Sequence, residues 1–123
     1  MGLLVGGATT VGWLAPSGAD SARGERLFAR CFACHSVVAG EEKLPGPNLR
    51  EVIGRRAGTL PGFRFSPALV EAGGRGLVWT RETLDAYLAD PPGFLPGTEM
   101  GSPGLREAGD RRDVIDFLER RTP

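Results

Sequence analysis

With 123 residues and fifteen basic side chains balanced by fifteen acidic ones, the chain is one domain's worth and offers no basic field for nucleic acid. Hydrophobic residues make up 41% but aromatic residues only 7%, and 19 glycines and 10 prolines put much of the chain in loops. One modest core is expected, short of apolar bulk that a large prosthetic group would supply. Lys43 is the only lysine beside fourteen arginines, which reads as compositional bias.

Residues 1–19 are nearly uncharged, running through Leu3, Leu4, Val11, Trp13 and Leu14 to Ser17 and Ala19. Their length and the small residues at their end resemble a secretory signal, yet no Lys or Arg precedes the run. A retained tail or anchor is the alternative. The run is too short and glycine-rich for a membrane span, which takes about 20 apolar residues. The domain proper is expected over 20–123.

From Asp20 the pattern turns helical: Asp20 or Ser21 can cap, and Gly24, Leu27 and Phe28 form a stripe that runs into Cys31. Residues 36–65 hold Gly40, Pro45, Gly46, Pro47, Gly54, Gly58, Pro61 and Gly62, so ordered turns are expected there. Ser66-Pro67 starts a short helix that Gly73-Gly74 stops, because proline suits the first helical position. Thr80 caps the next, with Leu84, Tyr87 and Leu88 inward and Pro91-Pro92-Gly93 ending it. A second loop is expected over 91–104, then a last helix from about Asp110 to Arg120 with Val114, Phe117 and Leu118 on its buried face. No period-two strand pattern occurs, so the fold class is all-α.

Both cysteines and the only histidine fall within Cys31-Phe32-Ala33-Cys34-His35. C-x-x-C-H is the spacing of covalent c-type haem attachment: two thiols add to the porphyrin vinyl groups and the adjoining imidazole reaches the iron. Three other readings are weaker. A disulfide here would close a very short loop and stabilise little. Zinc needs about four ligands, and no second Cys or His cluster exists to complete them. A thioredoxin-like dithiol needs a βαβ setting, whereas these flanks read as helix and then turns.

A six-coordinate haem needs a ligand opposite His35, commonly histidine or methionine. Met1 is the start residue, which leaves Met100 within Phe94-Leu95-Pro96-Gly97-Thr98-Glu99-Met100-Gly101. Taken alone, a loop methionine is more often a surface or packing residue than a ligand. As a soft thioether it favours ferrous iron and raises the reduction potential relative to a second imidazole. With both axial positions filled by protein, no substrate position remains, which argues for a carrier over an enzyme.

The chain resembles a class I cytochrome c, in the branch of the mitochondrial proteins and the bacterial cytochromes c2. The resemblance runs from about Gly24 to Leu118. It is carried by C-x-x-C-H, Gly46-Pro47-Asn48-Leu49, Gly54-Arg55, Pro61-Gly62-Phe63, Trp79-x-x-Glu82-Thr83-Leu84-x-x-Tyr87-Leu88 and Pro96-Gly97-Thr98-x-Met100. It implies that the first and last helices cross, with Gly24 close to Phe117. It also implies that the Pro47 carbonyl holds the second ring nitrogen of His35, that Arg55 and Trp79 meet the haem propionates, and that Tyr87 and Thr98 line the methionine side. Three departures stand out. Phe65 replaces a propionate-binding tyrosine, with the Ser66 hydroxyl still at hand. Pro92, Gly93 and Glu99 replace docking lysines, leaving charge only at Arg30 and Arg106. Ser102 replaces a shielding aromatic residue.

The function expected is a monomeric periplasmic one-electron shuttle, taking electrons from a quinol-oxidising complex to a terminal oxidase or photosynthetic reaction centre. The alternatives are a haem subunit tethered to a membrane complex by residues 1–19, and a peroxidase or ligand sensor with a labile Met100.

Overall fold

The computed structural model describes residues 20–31, 34–100 and 104–121; the expectations for residues 1–19 and Ser102, and the Phe32-Ala33 pair inside the motif, lie outside them. The described residues form α1 (Ser21–Phe28), a 3-10 turn (Ala29–Cys31), α2 (Pro67–Gly74), α3 (Arg81–Ala89), α4 (Pro91–Phe94) and α5 (Ala108–Glu119). Among them, pairing outside the helices is confined to one isolated antiparallel bridge, Arg56 with Val78.

Local chemistry starts three of these helices. The Asp20 carboxylate accepts from Arg23 N at the head of α1, and Ser66 Oγ accepts from Leu69 N ahead of Pro67. At α3, Thr80 and Thr83 form a reciprocal capping box. Each satisfies amide donors that an uncapped helix would leave open. The expected loop over 91–104 is corrected at its start. Pro91 and Pro92 occupy the first positions of α4, where a missing N–H costs nothing, and Phe94 N and Leu95 N donate to Asp90 and Pro91 carbonyls at 2.9 Å. The last helix also begins two residues before the expected Asp110.

Helix α1 crosses α5, and their Phe28 and Phe117 rings lie 5.4 Å apart between centroids. Gly24 makes the crossing possible. A Cβ there would stand 1.9 Å from the Asp113 carbonyl oxygen, with Phe117 Cβ next at 3.1 Å. The close neighbour is thus the α5 backbone one turn before Phe117. Val114, Ile115, Phe117 and Leu118 of α5 join Phe28, Leu84 and Tyr87 in the core.

The arginines are placed to a purpose that composition did not show. Six of the seven ion pairs among the described residues involve α5 or a partner on it. Arg23 reaches Asp110 at 2.7 Å and Asp113 at 2.8 Å, tying α1 to α5. Arg111 reaches Asp85 of α3 at 2.7 Å and donates to the carbonyls of Leu105 and Arg106 at 2.9 Å. That anchors the chain where it returns to α5 from the Met100 segment.

Candidate haem site

The attachment motif continues the first helix as a turn. His35 N and Cys34 N both donate to the Cys31 carbonyl, at 2.8 and 3.0 Å. Cys31, half-buried, and Cys34, exposed, are free thiols. Burial pushes the Cys31 thiol up, the neighbouring Cys34 adds to this, and the charge of Arg30 opposes it.

After His35 the chain loops out and comes back alongside itself. Gly46 N donates to the Cys34 carbonyl at 2.6 Å and Leu49 N to the Ser36 carbonyl at 2.8 Å. Between these, His35 Nδ1 lies 2.8 Å from the Pro47 carbonyl. A carbonyl only accepts, so Nδ1 carries the proton. Burial pushes the imidazole down from its ordinary value, with the Pro47 hydrogen bond pulling the other way. The ring is therefore neutral near pH 7 and its Nε2 lone pair is open for a metal; Nε2 has no partner among the described residues.

Two further groups lack the partner their setting demands. Trp79 is 7% exposed, yet its indole N–H meets no acceptor among the described residues. Arg55, half-buried, donates to the carbonyls of Asn48 at 3.0 Å and Arg50 at 2.6 Å and forms no ion pair there. Burial pushes its guanidinium down from the ordinary value, and only the charge of Glu51 opposes this. The two residues are held together by their main chains, with Trp79 N donating to the Arg55 carbonyl at 2.9 Å. A buried N–H and a half-buried cation without an anion are what a pair of haem propionates would satisfy. Ser66 is buried and its Oγ already accepts from Leu69 N at 3.2 Å, so only its hydroxyl hydrogen remains to donate. Phe65 packs edge-on against Phe63 at 4.7 Å.

On the other side, the Trp79 and Tyr87 ring centroids lie 5.1 Å apart. Tyr87 Oη and Thr98 Oγ1 are 2.6 Å apart, and Met100 N donates to Thr98 Oγ1 at 3.4 Å. Burial raises the Tyr87 phenol, with Thr98 pulling it back, so it stays protonated. Met100 is half-buried against the core. The structure thus groups Tyr87, Thr98 and Met100, and separately Cys34, His35 and Pro47, as well as Arg55 and Trp79. The donor set fits a covalently attached haem: two free thiols, one imidazole with an open nitrogen, and two unanswered donors.

Sequence reasoning gave no role to Asn48, Ser36 or Glu41. Asn48 is 8% exposed and donates to the carbonyls of Val38 at 2.7 Å and Glu41 at 2.8 Å, while Ser36 Oγ donates to the Glu41 carboxylate. Asn48 followed Gly46-Pro47 in the motif, but nothing local announces what an asparagine will reach across ten residues of loop.

The sequence matches the family model for cytochrome c over residues 21–121. Cytochrome c2 of Afifella marina is 41% identical over 98 residues, spanning 80% of this chain and 79% of that protein. Cytochrome c-550 of Ancylobacter novellus is 44% identical over 98 residues, spanning 80% and 92%. Among solved structures, cytochrome c2 from Rhodospirillum centenum aligns with a TM-score of 0.81 at 39% identity, covering 85% of this chain and all of that one. Cytochrome cH from Methylobacterium extorquens gives 0.75 at 39% identity, covering 83% and 99%. These matches and the donor set agree: the chain belongs to the cytochrome c family, as a class I c-type cytochrome with haem c attached through Cys31 and Cys34, an electron carrier rather than an enzyme.

Proposed function

We propose that this cytochrome carries single electrons with its iron held between His35 and Met100, from a quinol-oxidising complex to a terminal oxidase or photosynthetic reaction centre. One observation carries the ligand assignment. His35 is the chain's only histidine and is committed through Nδ1, while Met100 is half-buried beside a Thr98 that Tyr87 holds at 2.6 Å.

When bound, haem c supplies a one-electron Fe(III)/Fe(II) couple. The protein's residues hold its surroundings still. Pro47 keeps the His35 proton on Nδ1 and makes Nε2 the stronger donor. Tyr87 and Thr98 fix the segment that presents the Met100 thioether. Arg55 and Trp79, with the Ser66 hydroxyl, are the donors available to the propionates.

Met100→Ala tests the ligand. The oxidised variant is expected to lose the methionine-to-iron absorption band, its reduced form to bind carbon monoxide, and its potential to fall. A native oxidised protein without that band overturns the assignment.

In this reading the protein works in the periplasm as a monomer, with residues 1–19 acting as an export signal or tether ahead of a domain over 20–123. Among the described residues no helix is long and apolar enough to cross a membrane. N-terminal sequencing from cells decides: a start at Asp20 identifies a removed signal, and an intact start identifies a tether.

A further inference from the structure

We infer that Asn48 is a positioning residue for the iron site: its side chain fixes the orientation of the Pro47 carbonyl toward His35 Nδ1 and so sets how strongly the imidazole donates. The inference rests on the reading of His35 as an iron ligand.

The Pro47 carbonyl belongs to the peptide plane it shares with Asn48, and that plane has few restraints of its own. Proline has no N–H to anchor its leading side. The hydrogen bonds that align this segment with residues 34–36 come from Gly46 N and Leu49 N, one residue to either side of the Pro47-Asn48 pair. What stops the plane from turning is Asn48 itself. Both of its Nδ2 hydrogens are used, on the carbonyls of Val38 at 2.7 Å and Glu41 at 2.8 Å. Its Oδ1 accepts from Arg50 N at 2.8 Å, and its own carbonyl accepts from Arg55 Nη1 at 3.0 Å. The residue is 8% exposed, so water is poorly placed to replace these partners.

Asparagine alone meets the demand. Aspartate would set a carboxylate oxygen against two carbonyl oxygens, glutamine is one methylene too long, and alanine would leave the Glu41 carbonyl and the Arg50 N–H unpaired and the Val38 carbonyl with Glu41 N as its one remaining donor. Turning the Pro47 carbonyl away would weaken its hold on the Nδ1 proton. A less basic imidazole stabilises ferric iron less, so the reduction potential rises.

The test uses the haem-loaded full chain. Asn48→Ala is expected to raise the reduction potential and to speed solvent exchange of the His35 Nδ1 proton by about tenfold or more. Asn48→Ser, which keeps one donor, is expected to fall between Asn48→Ala and the unaltered protein on both measures. A purely structural clasp would lower the unfolding temperature while leaving potential and exchange where they were, and that result overturns the inference. Should both variants fail to fold, native-state exchange on the unaltered protein decides. The Asn48 Nδ2 and His35 Nδ1 protons are expected to exchange through one shared opening with the same denaturant dependence. Asn48 protons that exchange independently and sooner overturn it. Failure of the ligand reading looks different: the His35 ring resonances of the unaltered protein would then lie at ordinary aromatic positions rather than shifted by the iron and porphyrin.

Discussion

The His35 ring is confined along its Nδ1–Cε1 edge by a residue with no side chain. A Cβ on Gly46 would stand 2.5 Å from His35 Cε1, 2.7 Å from Nδ1 and 2.8 Å from the Cys34 carbonyl oxygen. The imidazole has little freedom to yield because Nδ1 is tied to Pro47, and the backbone has little because Gly46 N is bonded to Cys34 O at 2.6 Å. Gly46→Ala is therefore expected to destabilise the haem protein by about 1–3 kcal/mol, the usual cost of overfilling a packed site. Denaturant titration followed at the haem absorption band measures it. An unchanged midpoint would mean that the ring is not held as the distances imply.

At the scale of elements, the α1–α5 crossing is where small changes should be felt most. Gly24→Ala sets two effects against each other. Alanine favours a helix interior over glycine by about 1 kcal/mol, but its Cβ would lie 1.9 Å from a backbone carbonyl oxygen that cannot rotate aside. The clash is expected to win, with a lower thermal unfolding temperature.

The same crossing carries a pH dependence. Asp113, 3% exposed, is pushed up by burial alone. The Arg23 hydrogen bond, the Asp20 N–H and the charges of Arg23 and Arg112 together outweigh this and hold its carboxyl below the usual carboxylate range. A carboxyl that is more acidic folded than unfolded contributes stability that is complete above its unfolded value, about pH 4, and is lost as pH falls through the folded one. Unfolding measured from about pH 5 to about pH 2 should show this loss. Asp113→Asn should be less stable at neutral pH and show a flatter acid profile. An unaltered slope would remove Asp113 from the account.

For the whole molecule, the protein part of the core is small. Eleven hydrophobic residues are buried among the described ones, beside five buried polar or charged residues that include Ser36, Asn48 and Asp113. A chain of this size with so much loop has little stability in reserve. In the proposed reading, Trp79 and Arg55 would find their partners in the haem propionates. A Cys31→Ser, Cys34→Ser double variant, which cannot hold haem covalently, is expected to lose most of its far-ultraviolet helical signal and its cooperative thermal transition. Full native helicity in that haem-free chain would show that the helices alone close the fold.

What the sequence determined by itself is what acts over a few residues. The spacing of Cys31, Cys34 and His35 named the haem, and the caps at Asp20 or Ser21, Ser66 and Thr80 marked three helix starts, with the structure choosing Asp20, because each involves groups at most four positions apart. Elimination within a fixed composition led to Met100, and family resemblance led to Pro47, Arg55 and Trp79. The one-turn helix at Pro91–Phe94 departs from the expected loop because prolines that stop one helix also suit the first turn of the next. Tertiary structure alone decided the rest. The Asp113 carbonyl faces Gly24 across 89 residues, α5 gathers most of the ion pairs among the described residues, and Asn48 closes the loop that carries the Pro47 carbonyl. Such contacts depend on the path of the intervening chain, and a path held by irregular turns leaves no periodicity in the sequence to read.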